Sequence, residues 1–347
     1  MHPLQFPTRA AACVLAFGLA ASPAMAGAYS ALYAFGDSLS DVGNAFVATG
    51  GQQPAPPYVD GRFSNGPIWV DDVTAALGLA PLQPSLLGGT DYAVGGAITG
   101  TTPAASPGPG DLPWQLGQFS AAHPAADPAA LYTLWAGGND LLRALATGNP
   151  AIGFGTAMAA AANVAGTVSD LAALGARNLL VVDVPDLGVT PTARALGPAA
   201  ASDATLLSEI FDTDLKTDLQ EVAATTPNLA LHLLDTFGPM DDIVNNPATY
   251  GFTDVTDACW TGDTYGYADP GSLCAPTAAG QNDYLFWDSM HPTAHGQALI
   301  AAEALEVLPE PGSVLLLASS MLGLGLLRRR GAAPDPTRGR NPLDPMA

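Results

Sequence analysis

The ten residues FGDSLSDVGN (35–44) begin with the last residue of SALYAF (30–35), an apolar stretch that has the composition of a buried strand. Two glycines, two serines, two aspartates and an asparagine fall within these ten positions. In an α/β protein, a strand that ends in such residues presents them at the carboxyl edge of the sheet, where ligands bind. An ordinary loop with a helix N-cap has the same composition, since Ser and Asp cap helices well. The rest of the chain has to decide between these two interpretations.

Apolar segments and helical patterns alternate along the chain. The segments predicted as buried strands are residues 31–35, 92–94 (the weakest), 131–135, 178–184 and 229–234. NVAGTVSDLAALGAR (163–177) places Val164, Val168 and Leu171 on one helical face and stops at Gly175, a C-cap residue. LLSEIFDTDLKTDLQEV (206–222) has a similar apolar face. Strands alternating with helices predict a single-domain α/β protein, a three-layer α/β/α sandwich with a mostly parallel five-stranded sheet.

Both ends of the chain differ in composition from this central part. AAACVLAFGLAA (10–21) follows Arg9 and is succeeded by small residues at Ala24 and Ala26, which is the pattern of a secretory signal peptide over residues 1–26. LPEPGSVLLLASSMLGLGLLRRR (308–330) combines Pro-Glu-Pro, an apolar stretch at 313–327 and three arginines. A basic cluster after an apolar run keeps the end of a membrane segment in the cytoplasm. The predicted working domain is therefore residues 27–308.

The C-terminal pattern closely resembles the PEP-CTERM sorting signal of Gram-negative bacteria, assigned here to residues 309–330. The resemblance implies export to the cell envelope or an exopolysaccharide matrix, transient inner-membrane anchoring through residues 313–327, and processing by an exosortase. This chain departs from the family pattern by carrying a further segment, residues 331–347, which we predict to be a disordered tail.

Charge and cysteine content restrict the possible partners. The chain has 32 acidic residues against 11 Lys and Arg, a formal net charge of −21. A surface this acidic repels nucleic acid, so nucleic-acid partners are excluded. Cys259 and Cys274 lie 15 residues apart behind an export signal, which favours a disulfide over free thiols. No CxxC pair or His/Cys cluster indicates a metal site.

Four motifs occur at or near the ends of predicted elements: FGDSLSDVGN (35–44), DYAVGGAIT (91–99), LWAGGND (134–140) and WDSMHPT (287–293). Together, and in this order, they resemble the four conserved blocks of the SGNH or GDSL hydrolases. NPATYGFTDVTDACW (246–260) and DYLFWDSMHPTAHG (283–296) are similar to the secreted phospholipase/lecithinase/haemolysin-type branch of that superfamily. The resemblance implies a flavodoxin-like SGNH hydrolase fold.

The resemblance also implies a catalytic triad of Ser38, Asp288 and His291. A serine hydroxyl is a weak nucleophile until a base accepts its proton, so a histidine has to lie within hydrogen-bond reach of it. His291 is the candidate base, and Asp288 can accept a hydrogen bond from its Nδ1–H and stabilise the imidazolium. No G-x-S-x-G occurs in the chain, which argues against an α/β-hydrolase nucleophile elbow.

By block matching, the oxyanion-hole donors are the backbone N–H groups of Ser38 and Gly96 and the side-chain amide of Asn139. Glycine suits the second position because a side chain would obstruct the acyl group. Asp91 stands where the family commonly has Asn, and we expect this difference to affect loop hydrogen bonding rather than chemistry.

Each motif also has a simpler interpretation. Asn139 can be a helix N-cap, Gly95 and Gly96 a tight turn, and His291 with His295 has the i, i+4 spacing of helical zinc ligands. No third ligand is close in sequence, so no metal and no organic cofactor is expected.

The prediction is an exported serine esterase or lipase that cleaves carboxylic esters. The alternatives are an acyltransferase or phospholipase acting on lipids, or a catalytically inactive binding protein of the matrix. The loops at 50–66, 100–113 and 247–287 are expected to shape the acyl pocket. Seven aromatic residues are candidates either for its lining or for core packing, which the sequence does not distinguish: Tyr58, Phe63, Trp69, Trp114, Trp260, Tyr265 and Phe286.

Overall fold

Four of the five predicted strand segments form one parallel sheet in the computed structural model, which describes residues 29–262 and 271–309. The strands are β1 (Leu32–Gly36), β2 (Leu131–Trp135), β3 (Asn178–Val182) and β4 (Ala230–Leu234). They lie in the order β1-β2-β3-β4, and their first residues are all in register: Leu32 pairs with Leu131, Leu131 with Asn178, and Asn178 with Ala230. β2 and β3 are buried almost throughout. Parallel strands covered on both faces have this near-continuous apolar character.

The fifth predicted strand, residues 92–94, is less regular than expected. Tyr92 donates its backbone N–H to the carbonyl of Ala34 (2.7 Å), and Val94 donates to that of Gly36 (3.1 Å). This segment thus runs parallel to β1, but its pairing with β1 is an isolated bridge between Ala34 and Asp91 and not a regular strand ladder. The chain then turns at Gly96, whose φ is +80°. The regular sheet has four strands, and this bridging segment extends it.

Helices cover both faces of the sheet. Their bounds are α1 (Asn44–Ala48), α2 (Trp69–Ala76), α3 (Leu112–Ala122), α4 (Gly138–Ala146), α5 (Pro150–Leu174), α6 (Pro191–Ala195), α7 (Pro198–Thr225), α8 (Phe237–Asn245), α9 (Ala278–Gln281) and α10 (Ala294–Val307). Short 3₁₀ helices lie at Ser85–Leu87, Leu187–Val189 and Pro247–Tyr250. Phe35, Leu134 and Val181 pack in one buried cluster with α3, α5 and α7. Ala34 and Trp135, on the opposite face, pack with α2 and α10. The predicted α/β fold is confirmed.

Helix α5 contains the first predicted helical pattern and is longer than it. It begins at Pro150, where the Asn149 side chain accepts the N–H of Ala151, and it ends before Gly175 (φ +118°). By length and composition, α5 could cross a membrane. However, one side of it, including Ala157 and Val164, is fully buried in the main cluster, so here it is a core helix.

The predicted long loop at 247–287 contains more regular structure than expected. Strands β5 (Asp254–Ala258) and β6 (Tyr284–Phe286) pair in parallel and form a second, two-stranded sheet. Cys259 follows β5 and is bonded to Cys274, and the Cys274 N–H also donates to the Cys259 carbonyl (2.7 Å). The sequence lacks a clear strand signal here because the exposed residues of β5 are polar. The predicted signal peptide, the sorting signal beyond residue 309 and the tail lie outside the described residues.

Buried carboxyl groups near the end of β3 make the free energy of unfolding depend on pH. The Asp183 carboxylate accepts hydrogen bonds from the N–H and the hydroxyl of Thr236 (2.7 and 2.8 Å). Asp212, on α7, accepts from the Val184 N–H (2.9 Å) through Oδ1, while its buried Oδ2 has no hydrogen-bond partner. Burial, followed by the negative charge of Asp183, raises the pKa of Asp212 above its ordinary value. The folded protein therefore binds protons that the unfolded chain releases.

We expect the stabilising effect of Asp212→Asn to grow as the pH rises from 4 to 8. A carboxyl group whose pKa is raised by folding contributes stability below the pKa of the unfolded chain, and this contribution is lost as the pH rises towards the folded pKa. The amide cannot ionise, so at pH 8 the variant should melt about 2 °C or more above the wild type. Melting curves at both pH values measure this, with Asp203→Asn at an exposed position of α7 as the control. If Asp212→Asn lowered the melting temperature by the same amount at both pH values, a raised pKa of Asp212 in the folded protein would be contradicted.

Candidate active site

Ser38 lies on the turn that follows β1, at the carboxyl edge of the main sheet. A Cβ at Gly36 would lie 2.0 Å from the carbonyl oxygen of Trp135, and its φ is +139°, so only glycine lets β1 end this close to β2. The Asp37 N–H then donates to the same carbonyl of Trp135 (3.2 Å). The serine hydroxyl is thereby presented beyond the edge of the sheet.

Ser38, His291 and Asp288 form a continuous chain of hydrogen bonds. The Oγ of Ser38 lies 2.7 Å from Nε2 of His291, although the two residues are 253 positions apart. On the other side of the ring, Nδ1 of His291 lies 2.6 Å from Oδ2 of Asp288. With its proton on Nδ1, the imidazole donates to Asp288 and can accept the serine proton at Nε2. The structure brings together the three residues predicted as a triad.

The loop between β6 and α10 holds the histidine and the aspartate in place. Oδ1 of Asp288 accepts the backbone N–H groups of Met290 (2.8 Å) and His291 (2.7 Å). Trp287 donates its N–H to the His291 carbonyl (2.7 Å), and Thr293 caps α10 by accepting the N–H of Gly296. Complete burial raises the pKa of Asp288, but the charge of His291 and the hydrogen bonds to the carboxylate outweigh it, so the net pKa is lowered. Asp288 is therefore ionised and acts as an acceptor.

The predicted oxyanion donors lie on three different segments. Among the described residues, the structure records no acceptor for the backbone N–H groups of Ser38 and Gly96. The Asn139 amide, at the start of α4, donates to the Ala97 carbonyl (2.9 Å) and lies 3.4 Å from Oδ2 of Asp37. Asn139 is thus next to both the Ser38 turn and the Gly96 turn. A Cβ placed at position 96 would have nothing within 4 Å of it, so space does not select glycine here. The φ of +80° does, because residues with a side chain rarely adopt it.

Two buried aspartates connect the first and second motifs. The Asp41 carboxylate accepts four backbone N–H groups, among them those of Ala45 (3.0 Å) and Gly95 (2.8 Å). Asp91 accepts from the Val42 N–H (2.8 Å) and from the Asn44 side chain (3.3 Å). Burial raises the pKa of both carboxyl groups. These hydrogen bonds set the position of the turn that contains Gly96.

An apolar cleft opens beside Ser38 and His291, and within the described residues only one of the three predicted loops, 247–287, lines it, through Tyr250, Leu285 and Phe286. It lies among the ends of β3 and β4 and helices α4, α8 and α10, and its apolar wall includes Leu142, Val184, Met240, Ile243, Leu299 and Ile300. Phe286 is the one predicted aromatic residue that lines it within the described part of the chain. The five other described candidates are not among the residues that line the cleft.

The other predicted aromatic residues have different positions. Trp69 packs with Trp135 in the core (ring centroids 5.6 Å apart), and Trp114 lies on α3. Tyr58, Phe63 and Trp260 are buried in one cluster with Trp287. Tyr265 is outside the described residues. These rings are large enough to fill the interior, and nothing in their local sequence distinguishes packing from lining.

Sequence analysis did not predict two contacts in the site. Arg143, one helical turn after Asn139, donates from its guanidinium to the Gly96 carbonyl (3.0 Å) and so ties α4 to that turn. The Tyr58 hydroxyl donates to Oδ2 of Asp288 (2.5 Å), a contact between residues 230 positions apart. The i, i+4 relation of Asn139 and Arg143 could have drawn attention to the arginine. Tyr58 was a candidate for the pocket lining, but nothing in its local sequence pointed to a hydrogen bond with Asp288.

Comparison with known proteins gives one consistent result. Residues 32–304 match the family model described as GDSL-like lipase/acylhydrolase. The chain is 28% identical to a GDSL esterase/lipase of Arabidopsis thaliana, over 80% of this chain and 88% of the relative. It is 30% identical to a phosphatidylcholine-sterol acyltransferase of Aeromonas hydrophila, over 68% of this chain and 67% of the relative. Esterase EstA of Pseudomonas aeruginosa is also 30% identical over 88% of this chain, which spans about half (51%) of that relative.

Proposed function

Since this chain belongs to the family of GDSL-like lipases and acylhydrolases, we propose that it is an exported serine hydrolase that cleaves carboxylic esters through an acyl-enzyme. Its family and relatives support a hydrolase of ester substrates. The observation that carries the finer assignment is the hydrogen-bond chain from the Ser38 Oγ through both nitrogens of His291 to the buried Asp288. These three groups are the nucleophile, the base and the residue that orients the base.

In the first half of the reaction, the Ser38 Oγ attacks the ester carbonyl carbon while Nε2 of His291 accepts the hydroxyl proton. The carbonyl oxygen becomes an oxyanion that accepts hydrogen bonds from the N–H groups of Ser38 and Gly96 and from the Asn139 amide. As the intermediate collapses, the bond to the alcohol oxygen breaks and His291 returns the proton to that oxygen. The acyl group remains bound to Ser38 as an ester.

In the second half, a water molecule takes the place of the alcohol. His291 accepts its proton as the water oxygen attacks the acyl carbon, and the bond to the Ser38 Oγ then breaks. The serine recovers its proton from His291, and the carboxylic acid leaves. No oxidant, reductant or metal enters this balance.

The properties of the cleft indicate that the part of the substrate bound next to Ser38 is an uncharged acyl group. The wall of the cleft is predominantly apolar, and the chain as a whole is strongly acidic, with a formal net charge of −21. An apolar wall stabilises a hydrocarbon chain by removing it from water, whereas an anionic group there would be desolvated and repelled. Esters of apolar carboxylic acids therefore suit the cleft best.

We place this reaction outside the cytoplasm. In this proposal, residues 1–26 are a signal peptide, residues 27–308 are the hydrolase domain and residues 309–330 are a PEP-CTERM sorting signal that an exosortase processes. The Cys259–Cys274 bond is consistent with an oxidising compartment. Transient anchoring through residues 313–327 and a neighbouring exopolysaccharide matrix remain part of the proposal by resemblance.

Acyl transfer to an alcohol is a second candidate, because a relative that covers two thirds of the chain is a phosphatidylcholine-sterol acyltransferase. The acyl-enzyme is common to both reactions, and only the group that attacks it differs. Incubation with a p-nitrophenyl ester and an alcohol, followed by chromatography, measures how acid and new ester partition. Predominance of the new ester in mostly aqueous solution would favour the transferase.

A fluorophosphonate probe tests the proposed function directly. The nucleophilic Ser38 Oγ should displace fluoride from phosphorus, giving a covalent adduct that peptide mass spectrometry locates at Ser38. The same preparation should hydrolyse p-nitrophenyl esters, and comparison of acetate, butyrate and palmitate reports the acyl length that the cleft prefers. Heat-denatured protein is the control, since it lacks the converged base. A native protein that neither labels at Ser38 nor hydrolyses any of the three esters would refute the proposal and favour a binding role.

A further inference from the structure

We propose that Tyr58 is a positioning residue of this site, whose hydroxyl holds the Asp288 carboxylate in the orientation that His291 requires. This inference rests on the proposed serine hydrolase function and adds a fourth side chain to it. Tyr58 itself touches neither Ser38 nor the reacting ester in this scheme; it acts through Asp288. Its phenolic proton stays on the tyrosine throughout.

The hydrogen bonds around Asp288 support this role. The Tyr58 Oη lies 2.5 Å from Oδ2, the same oxygen that lies 2.6 Å from Nδ1 of His291. Oδ1 accepts the backbone N–H groups of Met290 and His291 at 2.8 and 2.7 Å. A carboxylate has about four lone-pair sites, and four donors occupy them here. Tyr58 supplies the one donor of these four that comes from outside the Asp288–His291 loop.

The tyrosine ring is held firmly enough to fix its partner. Tyr58 is 6% exposed and packs edge-on against three aromatic rings. Its ring centroid lies 5.0 Å from that of Trp260, 5.9 Å from that of Phe63 and 6.1 Å from that of Trp287. Trp260 directly follows Cys259, which the disulfide ties to Cys274. The packing of the Tyr58 ring therefore fixes the position of its hydroxyl next to Asp288.

A structural role and a positioning role predict different results. Buried tyrosine hydroxyls usually find a hydrogen-bond partner, so a structural role alone predicts a change in stability. A hydrogen bond to a carboxylate also draws negative charge away from the oxygen that receives it. Without Tyr58, Oδ2 would stabilise the His291 imidazolium more strongly. The base would then stay protonated to higher pH, and the carboxylate would lose one constraint on its orientation.

The test compares kcat/KM against pH for the wild type, Tyr58→Phe and Tyr132→Phe. For Tyr58→Phe we expect kcat/KM to fall about tenfold, since a charge-assisted hydrogen bond is lost. We also expect the acid limb of the profile to move to higher pH by about half a unit. Tyr132 is the matched control, because it is also buried and its hydroxyl donates to the Asp127 carbonyl (3.0 Å) near the beginning of β2. Its variant should leave the profile in place.

Two further measurements keep the test decisive. The His291 imidazole titration, followed by NMR on ¹³C-histidine protein and assigned by its loss in His291→Gln, should move to higher pH in Tyr58→Phe. This readout does not need turnover, so it still decides the role of Tyr58 if the wild type proves inactive on esters. If Tyr58→Phe does not fold, 3-fluorotyrosine at position 58 keeps the ring and strengthens the donor, and the acid limb should then move to lower pH. An acid limb and an imidazole titration that both stay unchanged would overturn the proposal.

Discussion

Replacing Ser38 with alanine should lower kcat for p-nitrophenyl esters by at least about 10⁴-fold, the largest effect expected of any single substitution. The variant lacks the oxygen that attacks the ester, and His291 Nε2, 2.7 Å away in the wild type, then has no serine proton to accept. The residual rate reflects only binding and the oxyanion donors, which act on direct attack by water. Initial rates at saturating ester, with protein freed of contaminating esterases, measure this change.

Ser40 provides the control for this experiment. It lies in the same turn and is buried, and its hydroxyl accepts a hydrogen bond from the indole N–H of Trp69 (3.2 Å). Ser40→Ala removes a hydroxyl two residues away without touching the nucleophile, so it should retain turnover within a few-fold of the wild type. If Ser38→Ala kept a tenth or more of the wild-type kcat, another nucleophile would have to be sought.

Replacing Asn139 with alanine should lower kcat by about 10²–10³-fold while changing KM little. An oxyanion donor binds the charge that develops in the transition state more strongly than the neutral ground-state carbonyl, so its loss appears in kcat. In the structure, the same amide donates to the Ala97 carbonyl at 2.9 Å, so the melting temperature of the variant has to be measured alongside its kinetics.

Asn163→Ala is the matched control for the amide. Asn163 lies on α5, and its amide contacts the neighbouring loop at the Thr99 hydroxyl (3.3 Å) and the Thr101 carbonyl (3.4 Å). The Asn163→Ala substitution removes a comparable side-chain amide from the same region while leaving the donors near Ser38 in place. A large rise in KM for Asn139→Ala, with kcat unchanged, would indicate that the amide binds substrate instead of stabilising the oxyanion.

Sequence reasoning was most successful where local patterns were unambiguous. The apolar run 131–135 became β2 with the same bounds, and the helical pattern ending at Gly175 became the C-terminal part of α5. It was least successful at residues 254–258, where polar residues conceal a strand, and at 92–94, where the weakest predicted strand is only a bridging segment. The second of these errors arose because pairing depends on how the chain continues beyond the segment, here into a turn at Gly96.

The order of the motifs is a property of the chain alone, and its resemblance to the GDSL hydrolase blocks was enough to predict Ser38, Asp288 and His291 as a candidate triad, because motif residues and their spacing within one segment are local properties. The alternation of apolar strand segments with amphipathic helical patterns likewise predicted a parallel sheet with helices on both faces. The position of the apolar cleft and the partner of Tyr58 were decided only by the tertiary structure. Both depend on side chains that are distant in the chain and meet after packing, as Tyr58 and Asp288 do across 230 positions. An aromatic residue has the same local sequence signal whether its ring fills the core, lines a cleft or donates to a carboxylate, so only the folded arrangement distinguishes these roles.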